Sequence, residues 1–201
     1  MRKLLILTAI ILFGFKSVNA QDVNFGAKAG VNFASFLGDK DHNDKTRTAF
    51  HVGLVAEFMI SDDFSFQPEL MYSAQGGSYE NAQDGEGLYD GTLKNDYLNV
   101  PLMAKYYVAE GFSLEAGPQV GFLLSAKDDW EDVQTGESDT EDWKDFYKGI
   151  DFGVNFGVGY KLEGGLNFGA RYNLGLSNIW DDSEDFKTQN GVIQVSLGYF
   201  F

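Results

Sequence analysis

Eight stretches of this chain alternate apolar and polar side chains, and that alternation limits the possible folds more than any other feature. A period of two places successive side chains on opposite faces of a β-strand. The stretches cover residues 23–36, 49–60, 64–77, 97–108, 112–125, 149–162, 166–177 and 191–201. The sixth is the clearest: Ile150, Phe152, Val154, Phe156, Val158, Tyr160 and Leu162 share one face. Each stretch is about 11 to 14 residues long. That is more than an ordinary globular strand needs and suits a tilted strand crossing a bilayer.

The connections alternate in length. Ser61-Asp62-Asp63, Ala109-Glu110-Gly111 and Glu163-Gly164-Gly165 read as tight turns, whereas residues 37–48, 78–96, 126–148 and 178–190 read as long polar loops. Short turns at one end and long loops at the other describe a membrane barrel with periplasmic turns and external loops. A lipocalin or a sandwich gives no reason for so regular a pattern. The expected fold is all-β, an eight-stranded antiparallel up-and-down transmembrane β-barrel with both termini in the periplasm. With 24 Gly, 3 Pro, 18 Phe and 10 Tyr, the composition agrees.

The two ends of the chain point to the same compartment. Basic Arg2-Lys3, an apolar segment from Leu4 to Phe15, and small residues at Val18-Asn19-Ala20 form the three parts of a secretory signal peptide, residues 1–20. A membrane anchor would need roughly 20 apolar residues. The barrel domain is then residues 21–201. It has no Cys, so neither a lipid attachment point nor a disulfide is available. Loss of Arg2, Lys3 and Lys16 deepens a formal net charge that is already −15. Nucleic acid is excluded as a partner, because phosphate contacts need Lys and Arg. The last strand ends on Tyr199 and Phe201, which resembles the assembly signal of bacterial outer-membrane barrels. The expected location is the outer membrane of a Gram-negative cell. The expected partners are outer-membrane lipid and, during biogenesis, the barrel assembly machinery, with the barrel itself a monomer.

Aromatic residues give an independent check. Near the turn end, the outward residues include Phe25, Phe58, Phe64, Phe66, Tyr106, Phe112, Tyr160, Phe168, Tyr199 and Phe201, with every strand contributing. Rings gather where lipid meets water. Phe33, Phe50, Tyr72, Phe122 and Phe152 form a thinner set near the loop end. The opposite face is polar. Its charged members are Lys28, Glu57, Glu69, Lys105, Glu115, Asp151, Lys161 and Arg171, four acids and four bases. An eight-stranded barrel is just wide enough to be filled by side chains, and charges inside it must pair. Balanced charge therefore predicts a structural polar network plugging the lumen rather than an open pore.

Several strand motifs are familiar. Tyr97-Leu98-Asn99-Val100-Pro101-Leu102-Met103-Ala104-Lys105-Tyr106 resembles the fourth strand of the PorT-like outer-membrane β-barrel family, common in Bacteroidetes. Glu115-Ala116-Gly117-Pro118-Gln119-Val120-Gly121 is similar to its fifth strand. Asp151-Phe152-Gly153 with Gly157-Val158-Gly159-Tyr160 is similar to its sixth, and Arg171-Tyr172-Asn173 with Leu176-Ser177-Asn178-Ile179 to its seventh. The resemblance covers essentially the whole mature chain and implies a fold and a location. The founding member is linked to protein secretion across the outer membrane, but no catalytic or binding residue transfers with these motifs.

Little in the sequence suggests a reaction. A hydrolytic site needs a nucleophile and a His held by an acid. Only His42 and His51 are present. His42, in Asp41-His42-Asn43-Asp44, reads as part of a solvated loop. His51 faces inward, away from lipid acyl chains, and no Gly-x-Ser-x-Gly elbow accompanies it. Glu57, Glu69 and Glu115 are expected to pair with Lys105, Lys28 and Arg171 rather than to do acid–base work. The third loop carries Asp128, Asp129, Glu131, Asp132, Glu137, Asp139, Glu141, Asp142 and Asp145 against three lysines. The fourth adds Asp181, Asp182, Glu184 and Asp185. Carboxylates can bind Ca²⁺, but EF-hand spacing is absent and solvated loops are the plainer reading. Trp130, Trp143, Phe146, Tyr147 and Trp180 lie among these acids as strand extensions or a contact surface. The expected function is non-enzymatic, structural or interactive, with no cofactor and no metal. The rivals are a narrow solute channel, a lipid-modifying barrel enzyme, a component associated with protein secretion, and a secreted soluble barrel with an apolar lumen.

Overall fold

The computed structural model describes residues 23–38, 44–85, 87–181 and 187–201. The signal peptide, His42 with its neighbours Asp41 and Asn43, and Asp182, Glu184 and Asp185 lie outside the described residues. The strands are β1 (Val23–Gly38), β2 (Asp44–Ser61), β3 (Phe64–Asp84), β4 (Gly87–Ala109), β5 (Phe112–Asp132), β6 (Ser138–Asp142), β7 (Ile150–Lys161), β8 (Leu166–Gly175) and β9 (Thr188–Phe200). A short 3₁₀ turn, Lys144–Phe146, follows β6.

Eight of the strands close a ring. Pairing runs β4-β3-β2-β1-β9-β8-β7-β5, and β4 pairs with β5 to complete it. All of these pairings are antiparallel. Closure leaves no unpaired edge in the ring. No helix among the described residues is long and apolar enough to cross a membrane.

The outward faces carry the apolar residues that alternation assigned to them. Phe25, Leu54, Leu70, Leu114, Phe156, Phe168, Val195 and Tyr199 are all exposed. The turn-end aromatics meet side by side across strands: Phe58 opposite Phe66, Phe64 opposite Tyr106, Phe112 opposite Tyr160, and Tyr160 opposite Phe168. Directly opposed residues on a sheet are neighbours, so aromatic positions adjoin from β2 to β4 and again from β5 to β8.

Two expectations need correction at the loop end. Residues 78–96 are not a loop: β3 and β4 run through them as a tall hairpin that turns after Asp84. The alternation is interrupted by bulges, one in β3 between Tyr79 and Ala82 and one in β5, where Leu123 pairs with Tyr97 and Ser125 with Asp96. Each bulge shifts the phase by a residue, so a period-two reading stops short. The third loop is also largely strand. β5 continues to Asp132 and β6 folds back on it, a ninth strand outside the ring. The barrel therefore has one high wall, β3 to β6, and a lower one formed by β7, β8 and β9.

The inward face is less uniformly polar than expected. Val55, Met71, Met103 and Phe200 are buried in the bore among the charged groups. Methionine fills the irregular gaps that long polar side chains leave. The described glycines confirm how closely the bore is packed. A Cβ on Gly159 would stand 2.6 Å from Glu115 Oε1 and 2.8 Å from Ser113 Oγ.

Candidate functional site

Seven of the eight inward charges meet in one network. Lys28 Nζ donates to Glu69 Oε2 at 2.7 Å. Arg171 reaches Glu69 through two hydrogen bonds, 2.9 and 3.0 Å, and Glu115 through a third at 2.9 Å. Lys105 pairs with Glu57 at 3.1 Å and approaches Glu115 at 3.6 Å. Lys161 pairs with Glu57 at 2.7 Å, and the Tyr107 hydroxyl donates to the same carboxylate. Lys161 also lies 4.4 Å over the Phe200 ring, a cation–π contact at the turn end. Glu57 and Glu69 have fully buried side chains. Buried charge is tolerable only with complete pairing, and here each acid has at least two cationic partners. Asp151 lies apart, accepting from Ser177 Oγ at 2.5 Å and from Asn190 at 2.9 Å.

His51 belongs to a second, neutral chain of hydrogen bonds that the sequence reading missed. Its Nδ1 lies 2.7 Å from Asn32 Oδ1 and its Nε2 2.9 Å from Ser196 Oγ. Asn32 Nδ2 donates to Ala74 O at 2.7 Å and Ser73 Oγ at 3.0 Å, so Asn32 Oδ1 is the acceptor. Nδ1 therefore carries the proton and Nε2 accepts from Ser196. The order Ser, His, Asn is that of a nucleophilic triad. A scissile bond has no room there, because even a Cβ on Gly30 would stand 2.8 Å from Nε2. The chain bolts β1, β2, β3 and β9 together.

Above these networks the bore is capped. Phe36, Tyr97, Leu123, Ala126, Tyr147 and Ile179 form a buried apolar cluster, with Leu93, Trp143 and Trp180 against it. Tyr147 and Ile179 come from the connections on either side of β7 and β8. Those two connections are tied by backbone bonds, Lys148 N to Ile179 O at 2.8 Å and Asp181 N to Phe146 O at 3.0 Å.

The candidate site is a cleft at the loop end beside this cap, on the inner side of the high wall. Tyr79, Tyr89, Leu93, Asp128, Trp130, Glu141, Trp143 and Trp180 line a volume of about 510 Å³. The chain has three tryptophans, and all three face this cleft. Tyr89 meets Trp130 edge-on at 5.6 Å, and Trp143 lies 6.2 Å from Trp180. Gly91 makes room for the arrangement: a Cβ there would stand 2.2 Å from the Tyr79 hydroxyl.

Two carboxylates sit among the rings, opposite each other on β5 and β6. The Tyr79 hydroxyl donates to both oxygens of Asp128, at 3.0 and 3.2 Å. Glu141 accepts the indole N–H of Trp130 at 3.3 Å on one oxygen and that of Trp143 at 3.1 Å on the other. Asp128 is only 6% exposed. Its burial, reinforced by Glu141 and opposed by the Tyr79 hydroxyl, raises its pKa above the usual Asp value. Burial also raises the Tyr79 phenol, with Asp128 adding to the effect. Neither carboxylate has a cationic partner within ion-pair distance among the described residues; Lys94 on β4 pairs instead with Asp129, and Lys45 on β2 with Glu80. No group of three His, Asp or Glu among the described residues is placed to hold a metal ion. The acids of this region thus divide. Asp129, Glu131 and Asp139 border a separate, more open hollow, while Asp128 and Glu141 belong to the aromatic cleft.

Comparison with known proteins assigns the family. Residues 19–181 match the outer membrane protein beta-barrel domain, and the chain belongs to that family. No curated protein matches it. Among solved structures, the chain is similar to Ail, the attachment invasion locus protein of Yersinia pestis, with 16% identity and a TM-score of 0.55 over 90% of this chain and 99% of that one. It is similar, at 15% identity and a TM-score of 0.54 with the same coverage, to Ail in complex with the heparin analogue sucrose octasulfate. Neisserial surface protein A follows at 12% identity and a TM-score of 0.49, over 90% of this chain and all of that one. At these identities the likeness is one of fold. The protein is an outer-membrane β-barrel.

Proposed function

We propose that this outer-membrane barrel is a non-enzymatic, non-conducting protein that binds through its acidic loop end, which faces outside the cell. The observation that carries this reading is the division of the molecule. Ion pairs fill the bore and an apolar cluster caps it, while an open aromatic cleft stands at the loop end with two carboxylates that have no ion-pair partner among the described residues. Ail's complex with sucrose octasulfate concerns a sulfated, anionic ligand. The acids lining this chain's loop end would repel such a ligand, so a different class of partner is implied.

Within the family, the strand motifs around Asn99 to Lys105 and around Glu115 to Gln119 support a PorT-like assignment. A signal peptide over residues 1–20, monomeric insertion and assembly through Tyr199 and Phe201 complete the proposal. The channel reading draws support from one feature, a hollow of about 500 Å³ at the turn end beside Lys161 and Tyr107. Conductance in planar bilayers separates the two. The purified barrel should show no steady openings, and steady openings that grow in Arg171→Ala would overturn the non-conducting reading.

A further inference from the structure

The loop-end cleft has three properties that together define a ligand. It is lined by five aromatic rings: Tyr79, Tyr89, Trp130, Trp143 and Trp180. It contains two carboxylates, one of them almost wholly buried, and neither has an ion-pair partner among the described residues. The oxygens of Glu141 each accept from an indole, and those of Asp128 share the single Tyr79 hydroxyl proton. Neutral ring donors thus meet part of the carboxylates' demand and leave their charge uncancelled. Aromatic faces attract cations through the ring quadrupole, most strongly when the cation sheds water. Anionic side chains beside the rings add attraction, and burial of Asp128 strengthens its share.

From this geometry we infer that the cleft binds an alkylated ammonium group of a soluble compound, choline being the simplest probe. This deepens the binding role proposed above and rests on it. A guanidinium fork binds one carboxylate edge through two parallel bonds, whereas each oxygen of Glu141 already spends one of its lone pairs on a different indole. A methylated ammonium offers charge with few donors and a rounded apolar shell, which matches rings on several sides. The volume of about 510 Å³ is in the range of small-molecule sites.

The full chain, in a sugar-based detergent free of choline headgroups, is titrated with choline chloride. Calorimetry measures binding and tryptophan emission locates it, since every tryptophan lines the cleft. The expected result is saturable binding with Kd below about 1 mM, accompanied by a change in emission. The uncharged isostere 3,3-dimethyl-1-butanol should bind at least tenfold more weakly. Glu141→Gln, an exposed position on β6, should weaken choline at least fivefold with the barrel still folded. Absence of saturable binding, or equal binding of the isostere, overturns the inference. Failure here with a silent bilayer recording leaves the binding-protein reading intact; steady conductance overturns that reading without touching the choline result.

Discussion

Arg171 on β8 and Glu69 on β3 form a bidentate pair through the middle of the barrel, at 2.9 and 3.0 Å. Their strands lie diametrically opposite in the ring, four pairings apart in either direction. A guanidinium fork matched to a carboxylate is the strongest and most directional ion pair available to side chains. Placed across the full diameter, it fixes how far apart the two walls stand.

Truncating either partner leaves the other charged and buried. Arg171→Leu should lower stability in urea titrations by about 3 to 5 kcal/mol. The double variant Arg171→Leu with Glu69→Leu should lose less than the sum of the singles, by roughly 1 to 3 kcal/mol. Strict additivity would show that the pair does not act as a strut.

Packing of the bore gives a paired test on two glycines. At Gly159 a Cβ meets Glu115 and Ser113, whereas at Gly164 it meets nothing within 4 Å. Gly159→Val should overpack the bore and cost about 1 to 3 kcal/mol, with Gly164→Ala near neutral. Equal effects would mean that the network yields freely to added volume.

Parity along the strands made much of this legible. Every second residue faces inward, so the eight charged positions were visible as one face before any fold was known. Which of them meet was only partly visible. Pairing across the bore depends on strand stagger and on the diametric placement of β3 and β8, neither of which is written locally. The bulge at Tyr79/Ala82 hid the top of the tall hairpin and the one between Leu123 and Ser125 hid the extension of β5, because both break the phase that a period-two reading follows. The tryptophans among acids were the signal for the cleft. That Asp128 and Glu141 would separate from the other acids became clear only once β6 folded back on β5.

The Ser196, His51 and Asn32 chain invites a chemical check. Buried with no space beside Nε2, it should be unreactive. An activity-based fluorophosphonate should leave the folded barrel unlabelled in mass spectrometry. Labelling that disappears in Ser196→Ala would revive the lipid-modifying reading. Ser196→Ala should otherwise cost only about 0.5 to 1.5 kcal/mol for its hydrogen bond.

The aromatic end of the chain separates assembly from stability. Phe200 is buried in the bore, whereas Tyr199 and Phe201 point outward, Phe201 being 77% exposed. Outward rings contribute little to internal packing. Phe201→Ala should therefore refold in detergent with nearly unchanged stability, while its amount in outer-membrane fractions of cells falls several-fold. A parallel loss in both measurements would make the residue structural rather than an assembly signal.

Asp128 ties the cleft's ligand to pH. Burial holds its pKa above the usual 3.8. The groups facing it are Tyr79 from β3, Glu141 from β6 and Tyr147 after the 3₁₀ turn, and burial raises both phenols, so they stay neutral in acid. An acid whose folded pKa is raised binds its proton more tightly when folded. Its charge therefore opposes folding above the folded pKa, and the penalty vanishes as pH falls below the unfolded value. Without ligand, Asp128→Asn should raise stability at pH 7 and change little at pH 3. Choline reverses the preference, since it favours the charged carboxylate. Its affinity should be greatest near neutrality and fall several-fold as pH descends through the raised pKa, with a shallower fall in Asp128→Asn. Calorimetry across pH 7 to 4 reads both chains, and identical profiles would remove Asp128 from the site.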